Sequence, residues 1–356
     1  VKKTIARVNN PEYLQEEQKE NFFKLGVDTL ISPQQLAAQE IERLLRQSSF
    51  TDIFEFEGGK ISIVGFTIEE TSIIANKSFL EFNNMTPNFS CRGIAILRNH
   101  KTIIPRGDTI IKQGDHMYMV VQNKQIDEAK TFAGKKVKKL KRVMIIGGSK
   151  LALRTAEKLE DKYSVSIVVN DKKTGDDFLE TLHNALVIVA DYGNVDILKE
   201  EGLERMDAFV ALTPNSEINI ITSLMAEEVG VYKTIALVDN TDYTHISQNI
   251  GIDTIINKKL IAANNIFRFV RKGNIQAIGG LHGVDAEVIE FIVHKKNRLL
   301  KHPIKNLHLP KKSIIAGVVR GNNSYIPDGD FQLEQNDKVI VFTQPEAIRK
   351  VEEIFK

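Results

Sequence analysis

The chain has 356 residues, of which 42% are hydrophobic and 26% charged, so it has enough apolar side chains to bury two or three domain cores. Its 48 basic and 46 acidic residues leave a net charge of +2, which argues against a general nucleic-acid-binding protein. A single cysteine, Cys91, excludes a disulfide framework and a multi-thiolate metal site. The sequence contains no apolar run long enough for a transmembrane helix and no secretory pattern, so we expect a cytoplasmic protein.

An internal repeat begins near the first residues. Three blocks recur in the same order: residues 5–13 match 235–243, residues 26–31 match 251–256, and residues 104–108 match 326–330. Because chance similarity does not keep its order over three blocks, the sequence predicts a tandem duplication of a unit of roughly 220 residues. Since Ile5 matches a position deep inside the second copy, we expect about ninety residues of the first copy to precede Val1.

The repeat predicts an α/β fold in which Rossmann-like parallel-sheet units, the first one partial, are each followed by a small α+β module. We expect four segments: the C-terminal part of a first Rossmann-like domain at 1–49, a small module at 50–133, a second Rossmann-like domain at 134–272 and a second small module at 273–356. Six of the nine residues in 134–142 are basic, which indicates a solvated linker or a contact with anionic lipid headgroups.

The complete copy alternates short apolar runs with helical spacing. Runs at 143–146, 165–169, 185–190, 208–212 and 234–238 predict five buried strands. Apolar residues at helical spacing lie between them, so we expect a parallel sheet with helices on both faces and right-handed crossovers. After residue 272 the pattern changes to alternating strands at 287–293, 313–319 and 338–342, with a final helix over 346–355.

The turn between the first strand and first helix of this copy reads Gly147-Gly148-Ser149-Lys150-Leu151-Ala152. Dinucleotide-binding folds place G-x-G-x-x-G/A at this turn, where backbone amides and the helix N-terminus stabilise a pyrophosphate. Gly147 fits the first glycine and Ala152 the third, whereas Ser149 replaces the second. Lys150 adds a positive charge. The turn therefore predicts a nucleotide site, with a tight structural turn as the alternative.

Further polar residues follow the strands of the predicted sheet. At the end of the second strand, where an acidic residue usually accepts the ribose hydroxyls, this chain has Val169. The candidate cofactor contacts at this edge are Asn170, Asp171, Asp191, Thr213 and Asn215. Asn, Asp and Thr are also the residue types that cap helices, so each of these candidates has a structural explanation of equal weight.

Together these motifs resemble the RCK regulatory proteins, built from KTN and RCK-C domains, and the duplicated arrangement resembles the Trk-type members of that family. The matching stretches are residues 143–148, 207–213 with Glu217 and Asn219, 5–13, and 326–330 with Asp337. The resemblance implies a peripheral regulatory subunit at the inner face of the plasma membrane. It would assemble as a homo-oligomer, a tetramer or ring, and dock on a membrane potassium-translocating subunit.

The resemblance also implies a ligand. NAD or NADH, or else ATP or ADP, would bind the Rossmann-like units and shift the assembly between states without any catalytic step. Arg7, at the end of a strand in the partial unit, would reach phosphate there or remain a surface charge. The family usually has glycine where this chain has Ser149 and Ala152, and an acid at Val169. The complete unit is therefore expected to bind nucleotide weakly, differently or not at all, in which case it serves as a scaffold.

Two other functions remain as alternatives: an RCK regulator of another cation channel or antiporter, and an NAD-dependent oxidoreductase. The oxidoreductase is disfavoured because the eight histidines form no H-x-x-x-H pair and no catalytic motif is present.

The repeated hairpin contains four aspartates: Asp108, Asp115, Asp330 and Asp337. Asp and Gly at these positions predict turns rather than calcium ligands.

Overall fold

The computed structural model describes residues 4–85, 89–99, 101–134, 137–240, 252–270, 275–280, 284–295 and 298–355. The chain divides into two compact units, one formed by 1–48 with 138–266 and the other by 49–137 with 267–356. Each unit therefore combines a part of the first copy with a part of the second. Within the described ranges, every helix is too short or too polar to cross a bilayer.

The first stretch of chain forms two parallel strands, each followed by a helix: β1 (Ile5–Arg7), α1 (Glu16–Lys24), β2 (Thr29–Ile31) and α2 (Pro33–Arg46). Helix α2 begins as helix-start preferences predict, because the Ser32 hydroxyl accepts a hydrogen bond from the Gln35 amide and Pro33 is the first helical residue. Its apolar residues recur every three or four positions, which places one continuous apolar face in the core.

The first small module is an antiparallel sheet with two helices. Its elements are β3 (Asp52–Phe56), β4 (Ile61–Thr67), α3 (Phe79–Met85), β5 (Cys91–Arg98), β6 (Lys101–Ile103), β7 (His116–Gln122) and α4 (Ile126–Ala133), and the strand order is β3-β4-β7-β5-β6. Aromatic rings fill the space between the helices. The rings of Phe82 and Phe132 meet edge to face with their centroids 5.2 Å apart.

A complete Rossmann-like sheet follows. Its elements are β8 (Arg142–Ile146), α5 (Lys150–Leu159), β9 (Ser164–Val169), α6 (Lys172–Leu179), β10 (Leu186–Val189), α7 (Val195–Glu200), β11 (Ala208–Ala211), α8 (Ser216–Glu228), β12 (Lys233–Leu237), β13 (Thr254–Ile256) and α9 (Lys258–Val270). All six strands are parallel, in the order β10-β9-β8-β11-β12-β13. The order reverses between β8 and β11, and in open α/β sheets that reversal opens the ligand crevice.

The predicted helices on both faces of this sheet are confirmed. Successive residues of β8 point to opposite sides, so Val143 and Ile145 belong to the core formed with α5 and α6, and Met144 and Ile146 to the core formed with α7 and α8. Helix α2 of the first copy packs into the core beside α5. Glu42 of α2 makes ion pairs with Lys162 and Lys158, and the hydrogen bond from Lys162 lowers the pKa of the Glu42 carboxyl.

The second small module repeats the first. It contains β14 (Ile275–Gly280), β15 (Glu287–Ile292), β16 (Ser313–Arg320), β17 (Asn323–Tyr325), β18 (Lys338–Thr343) and α10 (Ile348–Phe355), with the equivalent strand order β14-β15-β18-β16-β17. The Rossmann parts repeat as well, because Ile5 pairs with Thr29 on neighbouring strands and its counterpart Ile235 pairs with Thr254. Positions 241–243 and 251 of the repeated blocks lie outside the described residues.

A buried ion pair occurs at the same place in both small modules. Arg98 donates from Nε and Nη2 to the two carboxylate oxygens of Asp115, both at 2.6 Å, and Arg320 makes the equivalent bonds to Asp337 at 2.8 Å. Asp115 also closes the predicted turn by accepting the Lys112 amide. The arginine partner, which the turn pattern did not indicate, neutralises a carboxylate that is only 1% exposed.

We expect the Asp115→Asn substitution to lower the free energy of unfolding by about 3 kcal/mol, because it leaves the Arg98 guanidinium without its carboxylate. Urea unfolding followed by circular dichroism measures the difference. Asp108→Asn is the matched control, since Asp108 is an exposed turn residue in the same hairpin. If the two substitutions lowered the free energy of unfolding equally, the ion pair would add no stability beyond that of the turn.

Candidate functional site

The loop between β8 and α5 is built around Gly147. This residue has a φ of +126°, and a Cβ at its position would lie 2.7 Å from the carbonyl oxygen of Leu212 and 2.9 Å from the amide nitrogen of Thr213. The Gly147 amide donates to the Val168 carbonyl at 2.9 Å. The backbone conformation and the close approach of the chain after β11 both require glycine. The loop is thereby held at the point where the strand order reverses.

Ser149, which stands where the second glycine was expected, begins helix α5. Its hydroxyl accepts a hydrogen bond from the Ala152 amide and donates one to the Leu212 carbonyl, both at 3.2 Å. Serine at this position therefore caps the helix and ties the loop to the end of β11. The sequence pattern indicated a departure from the dinucleotide motif but not this structural role.

The amides of the loop are not used in hydrogen bonds within the described part of the protein. Among the described residues, none accepts a hydrogen bond from the amides of Gly148, Ser149, Lys150 or Leu151. These consecutive donors lie at a helix N-terminus, an arrangement that binds phosphate and other anions. Gly148 and Lys150 are exposed, whereas the Leu151 side chain is buried and offers only its amide. The loop therefore offers backbone donors of the kind that bind a pyrophosphate.

The residues expected near the ribose are engaged in other contacts. Val169 is fully buried and has no acceptor to offer. The Asn170 Oδ1 accepts the Tyr192 amide at 3.1 Å. Asp171 caps α6 by accepting both the amide and the hydroxyl of Thr174, at 2.9 and 2.7 Å, and these bonds hold the pKa of its carboxyl below the usual range. The arrangement thus lacks the acidic ribose acceptor typical of NAD sites.

The other candidates at this edge of the sheet also have local partners. Asp191 accepts the Gly193 amide at 2.9 Å in a turn, and Asn215 caps α8 by accepting the Ile218 amide at 2.8 Å. The Thr213 hydroxyl is bonded to Asn219 Oδ1 at 2.7 Å. Capping and turn formation account for these contacts, and a ligand role for the same residues stays a prediction.

Asn219 is a central residue of this edge that the site prediction left out. It is fully buried on α8, where its Nδ2 donates to the carbonyls of Thr213 and Leu237 at 2.9 and 2.8 Å, and its Oδ1 accepts the Thr213 amide at 3.0 Å. One side chain thus joins the ends of β11 and β12. The sequence signal for this role is the position of Asn219. Its side-chain amide lies on the buried side of α8, whereas Ile221 of the same helix is exposed.

Arg7 belongs to a different sheet from these residues. It is exposed at the end of β1, in the two-stranded sheet rather than in the sheet that carries the glycine loop. Its proposed contact with phosphate stays a prediction. In the part of the chain that the structure describes, no group of three or more His, Cys, Asp or Glu side chains is arranged to hold a metal ion.

We expect Ser149→Ala to lower the free energy of unfolding by about 1 kcal/mol, because the first turn of α5 loses its capping oxygen, and Ser149→Gly to lower it by only a few tenths. Chemical denaturation of the two variants and the parent chain measures both values. If Ser149→Ala were as stable as the parent, the hydroxyl would not be the cap.

Family models and known relatives match this chain over most of its length. Residues 143–258 match the TrkA-N domain, and residues 63–134 and 288–356 each match the TrkA-C domain. The Trk system potassium uptake protein TrkA homolog 1 of Methanosarcina mazei is 32% identical over 99% of this chain and 79% of its own length. TrkA of Haemophilus influenzae is 30% identical over 99% of this chain and 78% of its own length.

Solved structures share the fold. The GsuK RCK domain superimposes with a TM-score of 0.54 at 12% identity, covering 99% of this chain and 75% of that one. A structure titled GsuK channel bound to NAD gives a TM-score of 0.53 at 13% identity, with 99% of this chain and 62% of that one covered. The full-length matches in sequence, together with the repeated TrkA-C domains, show that this chain belongs to the TrkA family of Trk system potassium uptake proteins.

Proposed function

We propose that this chain is the nucleotide-responsive regulatory subunit of a Trk-type potassium uptake system. It acts on the cytoplasmic side of the plasma membrane, on a membrane potassium-translocating subunit. The observation that carries the proposal is the row of open amides at the Gly147 loop, set at the strand reversal of a Rossmann-like sheet in a TrkA-family chain. The proposed nucleotide-binding segment is 134–272, between small modules at 50–133 and 273–356.

The proposed ligand is NAD or NADH, with ATP or ADP as the alternative. Loop amides and the Lys150 ammonium supply donors for a pyrophosphate, which all four nucleotides contain. A GsuK channel of the same fold has been solved with NAD. Because Val169 replaces the acidic ribose acceptor, we expect the phosphate contacts to dominate the affinity and the ribose contacts to add little.

A regulatory role needs binding but no chemical step. A ligand shifts an equilibrium between two conformations by the difference between its affinities for them. The polar side chains at the carboxyl edge of the sheet already serve as caps and turns. We therefore propose a binding site and not a catalytic one.

A route from the loop to the surface is present in the contacts. Gly147 and Ser149 touch the backbone at Leu212, the next residue Thr213 is bonded to Asn219, and Asn219 belongs to α8. A phosphate that pulls on the loop amides therefore acts on the end of β11 and on α8. The evidence for this route is that these residues are in contact with one another. The two conformations that the route would connect are themselves proposed.

Helix α8 has the reverse of the usual burial pattern of a surface helix, because its buried face is mostly polar and its exposed face includes an apolar residue. Its buried residues are Asn219, Thr222, Ser223 and Ala226, whereas Ile221 is 56% exposed. The edge strand β10 adds Leu186 and Val189, which are 60% and 50% exposed. Exposed apolar side chains on a helix and on an unprotected strand edge are typical of protein interfaces, and they support a homo-oligomer, a tetramer or ring.

We expect NADH to bind the 356-residue chain and Lys150→Glu to weaken that binding at least tenfold, because the new carboxylate repels the phosphates. Isothermal titration calorimetry with NADH, NAD, ATP and ADP measures the affinities. The variant should fold, because an acidic residue in the first turn of a helix is favourable.

Lys101→Glu is a matched control, since it makes the same change of charge at an exposed position of β6 in the first small module. No heat of binding for any of the four nucleotides would reject this loop as the sensor. Equal weakening by both lysine variants would indicate general charge attraction instead of a contact at the loop.

We expect Ile221→Asp to lower the oligomer mass, because a charge would then face the apolar partner surface. Light scattering coupled to size-exclusion chromatography reads the mass, and Glu228→Gln on the same helix is the control. An unchanged mass for Ile221→Asp would remove α8 from the interface.

A further inference from the structure

The first turn of helix α6 lies beside the glycine loop. A Cβ on Gly148 would lie 2.9 Å from Thr174 Cγ2, so the loop and this turn are in contact. Gly175 also brings α6 close to the sheet, because a Cβ there would lie 2.8 Å from Val189 Cγ2 and 3.6 Å from Val169 Cγ2. The residues that start α6 are therefore at the end of β9, where a Rossmann-like fold holds the adenosine ribose of a dinucleotide.

Val169 takes the place of the group that selects an unphosphorylated ribose. An acidic side chain at this position accepts a hydrogen bond from the ribose 2′-hydroxyl and repels a phosphate in its place. The Val169 side chain is instead part of the core under α6 and is fully buried. Position 169 therefore carries no charge that would exclude a 2′-phosphorylated nucleotide.

Two cationic side chains begin α6. Lys172 and Lys173 are both exposed, and no described residue forms an ion pair with either of them. Ammonium groups donate charge-assisted hydrogen bonds to phosphate oxygens, and these bonds are stronger than bonds between neutral groups. The turn therefore presents positive charge at the ribose position, where an NAD site presents an acid.

The two acids nearby already serve local hydrogen bonds. Asp171 accepts the amide and the hydroxyl of Thr174, and these bonds, together with the charge of Lys173, hold the pKa of the Asp171 carboxyl below its usual range. Asp191 accepts the Gly193 amide. Their carboxylates are thus held in a helix cap and a turn, whereas the lysines have long flexible stems that reach a ligand beside them.

Asn170 supplies a neutral donor at the same place. Its side chain is exposed, and its Oδ1 accepts the Tyr192 amide at 3.1 Å, which leaves Nδ2 to donate to a ligand. The groups that Asn170, Lys172 and Lys173 offer are therefore all donors. Donors suit a phosphate, whose oxygens accept hydrogen bonds.

We propose that the ligand of the loop is a 2′-phosphorylated dinucleotide, NADPH or NADP, and that Asn170, Lys172 and Lys173 bind its 2′-phosphate. The inference rests on the proposed nucleotide site at the Gly147 loop and narrows its ligand. The loop amides and Lys150 bind the pyrophosphate of any of the nucleotides, and the first turn of α6 distinguishes among them. The chain then responds to the NADPH and NADP pair rather than to the NADH and NAD pair.

Titration of the whole 356-residue chain with NADPH and NADH tests the proposal, because the two nucleotides differ only in the 2′-phosphate. Isothermal titration calorimetry gives both dissociation constants. We expect NADPH to bind about tenfold more tightly than NADH, or better, because NADH lacks the charge-assisted hydrogen bonds. Equal affinities, or tighter binding of NADH, would overturn this inference and leave the loop site in place. Binding of neither nucleotide would overturn the loop site and this inference with it.

Variants locate the selectivity at α6. We expect the double change Lys172→Gln with Lys173→Gln to reduce the preference for NADPH to about twofold or less, with the NADH affinity unchanged. The control Lys101→Gln with Lys311→Gln removes the same charge from exposed positions of the small modules and should keep the preference. A preference that survives the α6 change, or that is lost in both double variants, would overturn the role of these lysines.

Asn170→Asp tests the same position by adding the missing charge. The variant keeps an acceptor for the Tyr192 amide and the shape of the side chain. We expect the NADPH affinity to fall about tenfold or more, because the carboxylate repels the 2′-phosphate, and the NADH affinity to stay the same or rise, because the carboxylate accepts the ribose hydroxyl. An equal fall for both nucleotides would contradict a contact with the 2′-phosphate.

Discussion

The approach of Gly147 to the Leu212 carbonyl is the contact on which the candidate site depends. No side chain fits between them, and the left-handed φ of Gly147 turns the chain directly into helix α5. This turn places the Ser149 hydroxyl against its acceptor, the Leu212 carbonyl, while no described residue accepts a hydrogen bond from the amides of residues 148–151. The next residue after Leu212, Thr213, donates its amide to the side chain of Asn219 on α8. This backbone contact connects the loop to the end of β11, and the Gly147 amide, which donates to the Val168 carbonyl, connects it to β9.

The duplication gives the chain an internal partner for each small module. Both modules contribute to one apolar core, which includes Phe56 and Tyr118 of the first and Val288 and Phe342 of the second. The Lys60 ammonium donates to the Gly321 carbonyl at 2.7 Å across the same contact. Two copies in one chain are paired without the entropic cost of bringing separate subunits together, and each copy is then free to diverge. The rings of Phe89 and Phe132 pack together in the first module, and the corresponding residues of the second are Lys311 and Ile354, which illustrates that divergence.

The sequence predicted the regular parts of this fold because they repeat or follow a period. Five of the six strands of the Rossmann-like sheet, the helices on both faces and the glycine loop were predicted from apolar runs and spacing. The roles of single polar residues were not predictable in this way. A capping residue and a ligand contact have the same residue types at the same strand ends, and only coordinates show that Asp171 bonds to Thr174 and Asn215 to Ile218. The Arg98 partner of Asp115 is distant in sequence, so no local pattern could reveal it.

We propose that a nucleotide at the Gly147 loop controls potassium uptake. The most direct measurement is potassium flux into vesicles that contain a Trk membrane subunit, with this chain bound, in the presence and absence of NADH, NAD, ATP and ADP. We expect at least one nucleotide to change the flux and Lys150→Glu to remove that change while the chain stays bound to the vesicles. A flux that does not respond to any of the four nucleotides, with the parent chain bound, would contradict it.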